Sequence, residues 1–356
     1  MKTYRNLFDQ VYSFKNIYGA YLNARKCKRY RGYVLDFSWH LEENLLELQN
    51  QLLNQTYKHG DYNEFIIYDA KKRHIKAAPF KDRIVHHALC NVIEPIFDKG
   101  FIYDSYACRK EKGTQHAVKR LELFLRSAKA SMAINGGNMY CLQCDISKYF
   151  DNIDHKELKS LLTKKIKDQQ VEWLLESIID SSGTLSFGED LFDNRRVGIP
   201  IGNLTSQLFA NIYLNELDQF VKHQLHEKYY LRYMDDFLIL GSNKKELHRT
   251  KKIINSFLWS RLRLRMNPKK VHVYPVNIGI DFLGYRIWIT HKLLRKSTVK
   301  RFIKRTRKYS KNIQKGKMDI VELDNSLQSW ILYAKEGRSW KLREDLQKRL
   351  KVSLFL

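Results

Sequence analysis

Residues 229–240 of the chain read Tyr-Tyr-Leu-Arg-Tyr-Met-Asp-Asp-Phe-Leu-Ile-Leu. An apolar run, the acidic pair Asp235-Asp236 and a second apolar run predict a β-hairpin with two adjacent carboxylates at its turn. Carboxylates side by side repel each other, and neither has an obvious partner in the local sequence. A bound divalent cation such as Mg²⁺ would offset the repulsion, because hard cations take carboxylate oxygens as ligands. The hairpin therefore predicts a metal site.

The composition indicates a polyanionic partner. The chain has 356 residues, of which 44% are hydrophobic, an ordinary fraction for a globular protein. Its formal charge of +26 is not ordinary, since such a charge repels itself in the compact state. Nucleic acid is the first candidate and an anionic membrane surface the second. The membrane alternative is weak, because no apolar run approaches the roughly 18 residues of a membrane span.

The cysteines and the N-terminus predict a reducing, cytoplasmic location. The five cysteines are odd in number and mostly isolated, which argues against a disulfide framework. Cys141 and Cys144 have the spacing of a metal-binding pair, but no second pair completes four ligands, so we expect both in a buried strand. The first residues contain no apolar signal-peptide core.

Hydrophobic periodicity predicts helices that alternate with short strands. The expected helices cover residues 34–57, 81–98, 113–130, 155–180, 204–226 and 244–260. A basic-tipped hairpin is expected over 64–78, a strand over 139–145 and further short strands up to about 290. The last 66 residues carry 19 Lys and Arg against 6 Asp and Glu. This excess predicts a helical nucleic-acid clamp, with a solvated basic face as the alternative.

A second acidic element complements the hairpin. Residues 143–150 read Gln-Cys-Asp-Ile-Ser-Lys-Tyr-Phe, so Asp145 ends a predicted strand and precedes a turn rich in backbone donors. Two-metal phosphoryl transfer needs carboxylates from separate elements, which hold the ions about 3.5–4 Å apart. Asp145 alone would be an ordinary strand end, but together with Asp235 it predicts such a site.

The Tyr-Met-Asp-Asp hairpin and the block over 145–150 resemble the palm of a reverse transcriptase. Further blocks follow in the family's order, and they cover Lys72–Arg83, Ser105–Arg109 with Lys112–Ala117, Gly198–Gln207, Met266–Lys270 and Phe282–Tyr285. The resemblance implies an α+β right-hand polymerase with fingers, a palm of antiparallel sheet plus helices, and a helical thumb. The implied bounds are an N-terminal helical extension over 1–60, fingers with part of the palm over 61–135, palm over 136–290 and a basic helical thumb over 291–356.

The resemblance also assigns roles to single residues. Asp145 and Asp235 resemble the direct metal ligands, with Asp236 as a supporting carboxylate and Ile146 as a further metal contact. The implied cofactor is a pair of Mg²⁺ ions, for which Mn²⁺ can substitute. The expected contacts to the incoming deoxynucleotide are Lys72, Arg73, Ser147, Lys148, Tyr149, Phe150, Ile201, Gly202 and Gln207. The expected contacts to primer and template are Phe282, Leu283, Gly284 and Tyr285.

Several of these residues could instead have a purely structural or surface role. Phe150 falls where the family keeps an aromatic steric gate against the 2′-hydroxyl. Arg73 suits a triphosphate because its fork binds phosphate oxygens in pairs, but it could equally be a solvated hairpin tip. Arg83 and Arg109 are weaker candidates, since either could form a structural ion pair. Lys270 is a candidate general acid for pyrophosphate, with a surface lysine as the alternative.

The loop over 198–207 separates subfamilies. Most reverse transcriptases read Gln-Gly-x-x-x-Ser-Pro there, whereas this chain reads Ile201-Gly202-Asn-Leu-Thr-Ser206-Gln207. That pattern resembles the reverse transcriptases of diversity-generating retroelements, which are encoded by bacteria, archaea or phages. The resemblance implies error-prone synthesis at template adenines, because isoleucine cannot replace the hydrogen bonds of the missing glutamine. It also implies template RNA, cDNA, deoxynucleotides and a pentameric basic accessory protein as partners.

Three alternatives remain open at this point. The first is a group II intron-like or defence-associated reverse transcriptase of ordinary fidelity. The second is an inactive RNA-binding protein on a polymerase scaffold, although the three intact aspartates argue against it. The third is a membrane-surface protein.

Overall fold

The structure is a computed structural model, and it describes residues 2–68, 72–133, 138–187, 194–316 and 319–346. Twelve helices and eleven strands are assigned within these ranges. The helices are α1 Phe8–Tyr12, α2 Phe14–Ala24, α3 Gly32–Trp39, α4 Leu41–Leu53, α5 Phe80–Asp98, α6 Thr114–Ala133, α7 His155–Thr163, α8 Gln169–Asp180, α9 Leu204–Gln219, α10 Lys244–Leu262, α11 Lys296–Gln314 and α12 Ile320–Lys335. The strands are β1 Asn63–Tyr68, β2 Lys72–Ala77, β3 Tyr140–Asp145, β4 Thr184–Phe187, β5 Asn194–Val197, β6 Tyr230–Tyr233, β7 Asp236–Gly241, β8 His272–Pro275, β9 Ile280–Phe282, β10 Tyr285–Ile287 and β11 Lys292–Leu294.

Four sheets are formed by the described residues. The largest has four strands in the order β6-β7-β3-β8, and a three-stranded sheet has the order β11-β10-β9. Two antiparallel hairpins, β1-β2 and β4-β5, complete the set. The β1-β2 hairpin confirms the prediction over 64–78, and its predicted tip residues 69–71 lie outside the described residues.

Two predicted helices are each divided in two. The stretch over 34–57 breaks at His40, which leaves helical geometry (φ −113°, ψ 50°) and whose imidazole lies 3.2 Å from the Glu43 carboxylate. The stretch over 155–180 breaks before Asp168, whose carboxylate caps α8 by accepting hydrogen bonds from the amides of Gln170 and Val171. That carboxylate also accepts from the amides of Leu7 and Phe8, at 2.6 and 3.1 Å.

The core is built around α5 and α9. Helix α5 packs against α2 and α9, and most of its apolar side chains from Ile84 to Phe97 are buried. Helix α9 buries side chains around most of its circumference, as expected of a central helix. It continues into a single π-helical turn over Phe220–Gln224. Cys141 and Cys144 are buried in β3, as predicted.

The chain divides into two compact units. The first comprises Met1–Gly113, Gln143–Leu238 and Arg249–Val271, and it contains every residue of the acidic site described below. The second comprises Thr114–Leu142, Ile239–His248 and His272–Leu356, and it contains the three-stranded sheet, the strongly basic helix α11 and helix α12. No helix within the described ranges is both long and apolar enough to cross a bilayer.

Candidate active site

The acidic pair lies at the turn between β6 and β7. Met234 adopts a left-handed conformation with φ +56°, and β7 begins at Asp236. The flanking side chains of Leu231 and Phe237 are fully buried, whereas both aspartates are partly exposed. The apolar strands thus anchor the hairpin in the core and present its carboxylates at the surface.

Asp145 ends β3, the strand next to β7 in the sheet. Its carbonyl oxygen accepts a 2.8 Å hydrogen bond from the amide of Asn267, and the amide of Ser147 donates to the Arg265 carbonyl at 2.9 Å. Ile146 and Met266 form an antiparallel bridge between the two segments. Backbone hydrogen bonds therefore join the start of the predicted Met266–Lys270 block to the segment that carries Asp145.

The Asp145 carboxylate is held from both sides by the same block. Asn267 Nδ2 donates to Oδ1 at 3.3 Å, and the Lys270 ammonium is paired with Oδ2. Asn267 also caps the single 3₁₀ turn Pro268–Lys270 through a 3.1 Å hydrogen bond from the Lys269 amide. Lys270 is therefore a half-exposed lysine whose ammonium is paired with a largely buried carboxylate, and its candidate role as a general acid stays a prediction.

The three carboxylates interact strongly with one another. Burial, together with the charges of Asp235 and Asp145, raises the pKa of Asp236 to about 7, and the nearby Lys270 opposes this rise. Carboxylates that share a site in this way are stabilised in their ionised form by a cation. The donor set therefore fits a hard divalent ion. Within the described ranges, no three His, Cys, Asp or Glu side chains are arranged so that they could already hold a metal ion, and the Asp145 carboxylate is paired with Lys270.

The segment after Asp145 combines a strained backbone with one buried and one half-buried aromatic ring. Lys148 has φ +43° and an exposed side chain. Tyr149 is buried and donates from Oη to the Ala210 carbonyl at 2.5 Å, so only its backbone is available to a nucleotide. Phe150 is half-buried, with its ring edge-on to Tyr149 at 5.5 Å between centroids. An accessible ring at this position is compatible with the expected gate.

Backbone hydrogen bonds join the loop over 198–207 both to Phe150 and to β2. The amide of Ile199 donates to the Phe150 carbonyl at 2.9 Å, and the amide of Lys76 donates to the Ile201 carbonyl at 3.4 Å. The half-buried Ile201 lines a pocket of about 100 Å³ together with Lys76 and Asp151. Gly202, which follows Ile201, is exposed. Gln207 is half-buried and lies in the first turn of α9. Phe150, the predicted gate, is thus hydrogen-bonded through its carbonyl to the loop that carries Ile201, the predicted fidelity residue.

The remaining predicted residues fall into three environments. Lys72 and Arg73 are exposed at the start of β2, and within the described chain neither forms an ion pair. Arg83 donates to the Ala78 carbonyl at 2.8 Å, and its guanidinium lies over the Tyr33 ring. Arg109 forms the structural ion pair considered above, since its Nε lies 2.7 Å from Asp98 Oδ1. Its Nη1 also donates to the carbonyls of Ile102 and Ser105.

The predicted primer-contact block forms the β9-β10 turn of the second unit. Phe282 and Tyr285 are buried, so their side chains are not available to nucleic acid. Leu283 (φ +48°) and Gly284 make the turn, which Tyr333 contacts through a 3.4 Å hydrogen bond to the Leu283 carbonyl. Any contact to a primer from this block would therefore come from the turn itself.

Sequence reasoning missed Arg232, which lies two residues before Met234. Its side chain is fully buried and pairs with Asp218 at 2.6 Å. The available signal was a single arginine inside an otherwise apolar and aromatic strand. Its partners could not have been identified, because they come from distant parts of the chain.

An acidic pair on a hairpin turn, beside a strand-end aspartate in the same sheet, defines the palm of a template-copying nucleic-acid polymerase. Residues 58–287 match the family described as reverse transcriptase (RNA-dependent DNA polymerase), and the chain belongs to that family.

The chain is similar to proteins from several sources. It is 29% identical to protein YkfC of Escherichia coli K12, over 62% of the chain and 64% of the relative. It is 24% identical to the group II intron-encoded protein LtrA of Lactococcus lactis, over 84% of the chain and 58% of the relative. The chain thus spans about six tenths of the length of these relatives. Among solved structures, apo telomerase from Candida tropicalis matches with a TM-score of 0.52 and 14% identity, over 69% of this chain and 50% of that one.

These similarities confirm the α+β right-hand fold and the reverse transcriptase family. The relatives include group II intron proteins.

Proposed function

We propose that the protein is an RNA-directed DNA polymerase that adds deoxynucleotides to a primer 3′-hydroxyl. The observation that carries this function is the cluster of Asp145, Asp235 and Asp236, in which burial and then the neighbouring carboxylates raise the pKa of Asp236. A cluster of this kind costs stability unless a cation is bound, so its presence on a polymerase-type sheet indicates use rather than support.

The site residues would act together on the nucleotide. Asp145, Asp235 and the backbone at Ile146 would hold two divalent ions, with Asp236 supporting them. Such ions activate the attacking hydroxyl and stabilise the leaving oxygen when bound. The backbone amides after Asp145 would orient the triphosphate, and Phe150 would exclude a 2′-hydroxyl. Lys72 and Arg73 would contact the phosphates from the fingers hairpin.

Primer extension on an RNA template with Mg²⁺ tests this function. Asp235→Asn and Asp236→Asn each keep the side-chain shape while removing a metal-binding charge. We expect at least about a hundredfold loss of product, since both charges act in the transition state. Asp36→Asn, on the exposed face of α3, is the matched control and should extend normally. If wild type makes no more product than the Asp235→Asn and Asp236→Asn proteins, the polymerase function fails and the inactive RNA-binding alternative is favoured.

We further propose that synthesis is error-prone at template adenines. The supporting feature is Ile201, an apolar side chain in the pocket beside Lys76 and Asp151. A pocket wall that cannot hydrogen-bond loses the selectivity that such a bond supplies.

Sequencing of cDNA made by wild type and Ile201→Gln tests the fidelity proposal. We expect the glutamine variant to make several-fold fewer errors opposite adenine and to keep its error frequency opposite the other bases. Ile201→Val is the control, because it keeps an apolar wall. If wild type shows no adenine bias, the fidelity proposal fails and the group II intron-like alternative of ordinary fidelity is favoured.

We also propose that the basic surface binds template RNA and a pentameric basic accessory protein. The formal charge of +26 supports the RNA contact, because phosphates offset its repulsion. Co-purification with the candidate accessory protein, with and without ribonuclease, would test whether the two proteins associate directly. If the two proteins do not co-purify under either condition, the proposal of an accessory-protein partner fails.

A further inference from the structure

The side chain of Arg232 uses all of its donors inside the protein. Nε and Nη2 form a forked pair with Asp218 at 2.7 and 2.6 Å, and Nη2 also donates to Ser105 Oγ at 3.0 Å. Nη1 donates to Asn211 Oδ1 at 3.2 Å and to the Met234 carbonyl at 3.1 Å. A guanidinium has five N–H groups, and these five contacts account for them.

One of the five contacts reaches the acidic turn. The Met234 carbonyl belongs to the peptide that joins Met234 to Asp235, and Met234 is the residue at φ +56°. A left-handed conformation is unfavourable for a methionine, so the surrounding contacts must hold it in place. The hydrogen bond from Arg232 fixes the direction of this peptide and hence the direction in which Asp235 leaves the turn.

The main chain of β6 does not depend on this side chain. The amide of Arg232 donates to the Asp104 carbonyl at 2.9 Å, and its own carbonyl accepts from the Tyr106 amide at 3.0 Å. The strand is therefore held at this position by main-chain hydrogen bonds that do not involve the Arg232 side chain. A buried ion pair is a poor source of stability compared with apolar packing, so its presence here calls for a further reason.

We propose that Arg232 is a positioning residue for the catalytic hairpin. It ties the Met234–Asp235 peptide to a rigid buried cluster of Asp218, Asn211 and Ser105, so that Asp235 is aimed before any ion or nucleotide binds. This role rests on the proposed function, since it assumes that Asp235 holds a divalent ion.

The first test replaces the fork with a point charge. Arg232→Lys keeps the positive charge beside Asp218 but cannot supply five donors in a plane. We expect kcat in primer extension to fall about 10-fold to 100-fold, with the KM for deoxynucleotide within about twofold of wild type. Mn²⁺ titration of the full-length protein, followed by the electron paramagnetic resonance signal of free Mn²⁺, should show affinity weakened by a similar factor. A purely structural role would lower the amount of folded protein and leave both quantities unchanged per folded molecule.

A matched pair of hydroxyl deletions decides the case if Arg232→Lys does not fold. Ser105→Ala removes a partner of the guanidinium, whereas Tyr230→Phe removes a 2.7 Å hydrogen bond to Asp218 Oδ1 and leaves all five guanidinium contacts in place. We expect a few-fold loss in kcat and Mn²⁺ affinity for Ser105→Ala and wild-type values for Tyr230→Phe. Equal values in the two variants would overturn the proposal.

The outcomes separate the two levels of inference. If wild type neither binds Mn²⁺ nor extends a primer, the proposed function itself fails. If wild type does both and a folded Arg232→Lys protein matches it, the positioning role alone fails.

Discussion

At the scale of single residues, the Lys270 ammonium and a divalent ion would compete for the same carboxylate oxygen. Lys270 is paired with Asp145 Oδ2 while also opposing the high pKa of Asp236. The lysine therefore acts as a counter-charge that stabilises the acidic cluster on its own. Metal binding at Asp145 requires that the carboxylate exchange one cation for the other.

This competition predicts the effect of Lys270→Gln. Removing the ammonium should lower the Mg²⁺ concentration for half-maximal extension by several-fold, because a positive charge a few ångströms away opposes the ion. Lys270→Arg retains the charge and is the control, with a midpoint near wild type. A Mg²⁺ midpoint that does not fall in the glutamine variant would refute the competition. The candidate general-acid role would appear separately, as a lower kcat at saturating Mg²⁺.

Phe150 gives a second prediction at this scale. Its half-buried ring packs edge-on against Tyr149, which is itself fixed by the Ala210 carbonyl. Phe150→Ala should raise the incorporation of ribonucleotides relative to deoxynucleotides by at least about tenfold, since the obstacle to a 2′-hydroxyl is removed. Phe150→Tyr keeps the ring and should keep the preference. Competition assays with paired nucleotides measure the ratio, and an unchanged ratio in the alanine variant would exclude a gate at this position.

The sequence predicted the grouping of Asp145, Asp235 and Asp236 because they form recognisable local patterns, and the structure brings the three side chains together. It did not identify the cluster around Arg232, because Ser105, Asn211 and Asp218 lie 127, 21 and 14 positions away. Nor did it show that Lys270 reaches Asp145, which is 125 positions away. Contacts of this kind depend on how the strands assemble, and no local pattern encodes them.

At the scale of elements, the turn at Gly198 lies against the segment that follows Phe150. The loop that carries Ile201 begins at this turn. Gly198 has φ +96°, and a Cβ there would lie 3.2 Å from the Asp151 carbonyl oxygen. Its amide donates to the Ile153 carbonyl at 2.9 Å. An alanine would bring both backbone strain and a close contact, so the turn would have to move.

Gly198→Ala should therefore lower the free energy of unfolding by about 1–3 kcal/mol. Gly19→Ala is the matched control, because Gly19 lies within α2 and a Cβ there meets nothing within 4 Å. That change should stabilise the protein by up to about 1 kcal/mol, since glycine is a poor helix residue. Thermal melts of both variants measure the difference, and a Gly198→Ala protein as stable as wild type would show that the turn tolerates a side chain.

Element boundaries were predicted less well than element types. The break before α8 depends on Asp168, which binds the amides of Leu7 and Phe8 as well as its own helix. The periodic apolar residues on both sides of the break gave no sign of it. A boundary set by a distant segment can be read only from the folded chain.

At the scale of the whole molecule, the order of the sequence blocks predicted the right-hand fold. The order worked because each block is an element of the palm or its neighbours, and the family keeps them in sequence. The interleaved composition of the two compact units was not predicted, since each collects segments from three parts of the chain. The division into fingers, palm and thumb at the bounds given above stays a prediction.

The basic helix α11 yields the last prediction, on how the chain binds nucleic acid. Helix α11 carries the exposed cations Lys304, Arg307 and Lys308 on one part of its surface. If this helix clamps a primer–template duplex, each lost contact should reduce the slope of log affinity against log salt by up to about 0.9. Replacing all three by glutamine should thus weaken binding in low salt and flatten the salt dependence by up to about 2.7. Fluorescence anisotropy with a labelled RNA–DNA duplex, over a range of salt concentrations, measures both quantities.

The control for this prediction removes the same charge elsewhere. Lys244, Lys245 and Lys252 are exposed on α10, and their replacement by glutamine lowers the net charge equally. If the long-range field of the +26 chain were the whole cause, both triple variants would lose the same affinity. A larger loss and a flatter slope for the α11 variant alone would locate the duplex on the C-terminal helices. Equal slopes in the two variants would instead make α11 an ordinary solvated basic face.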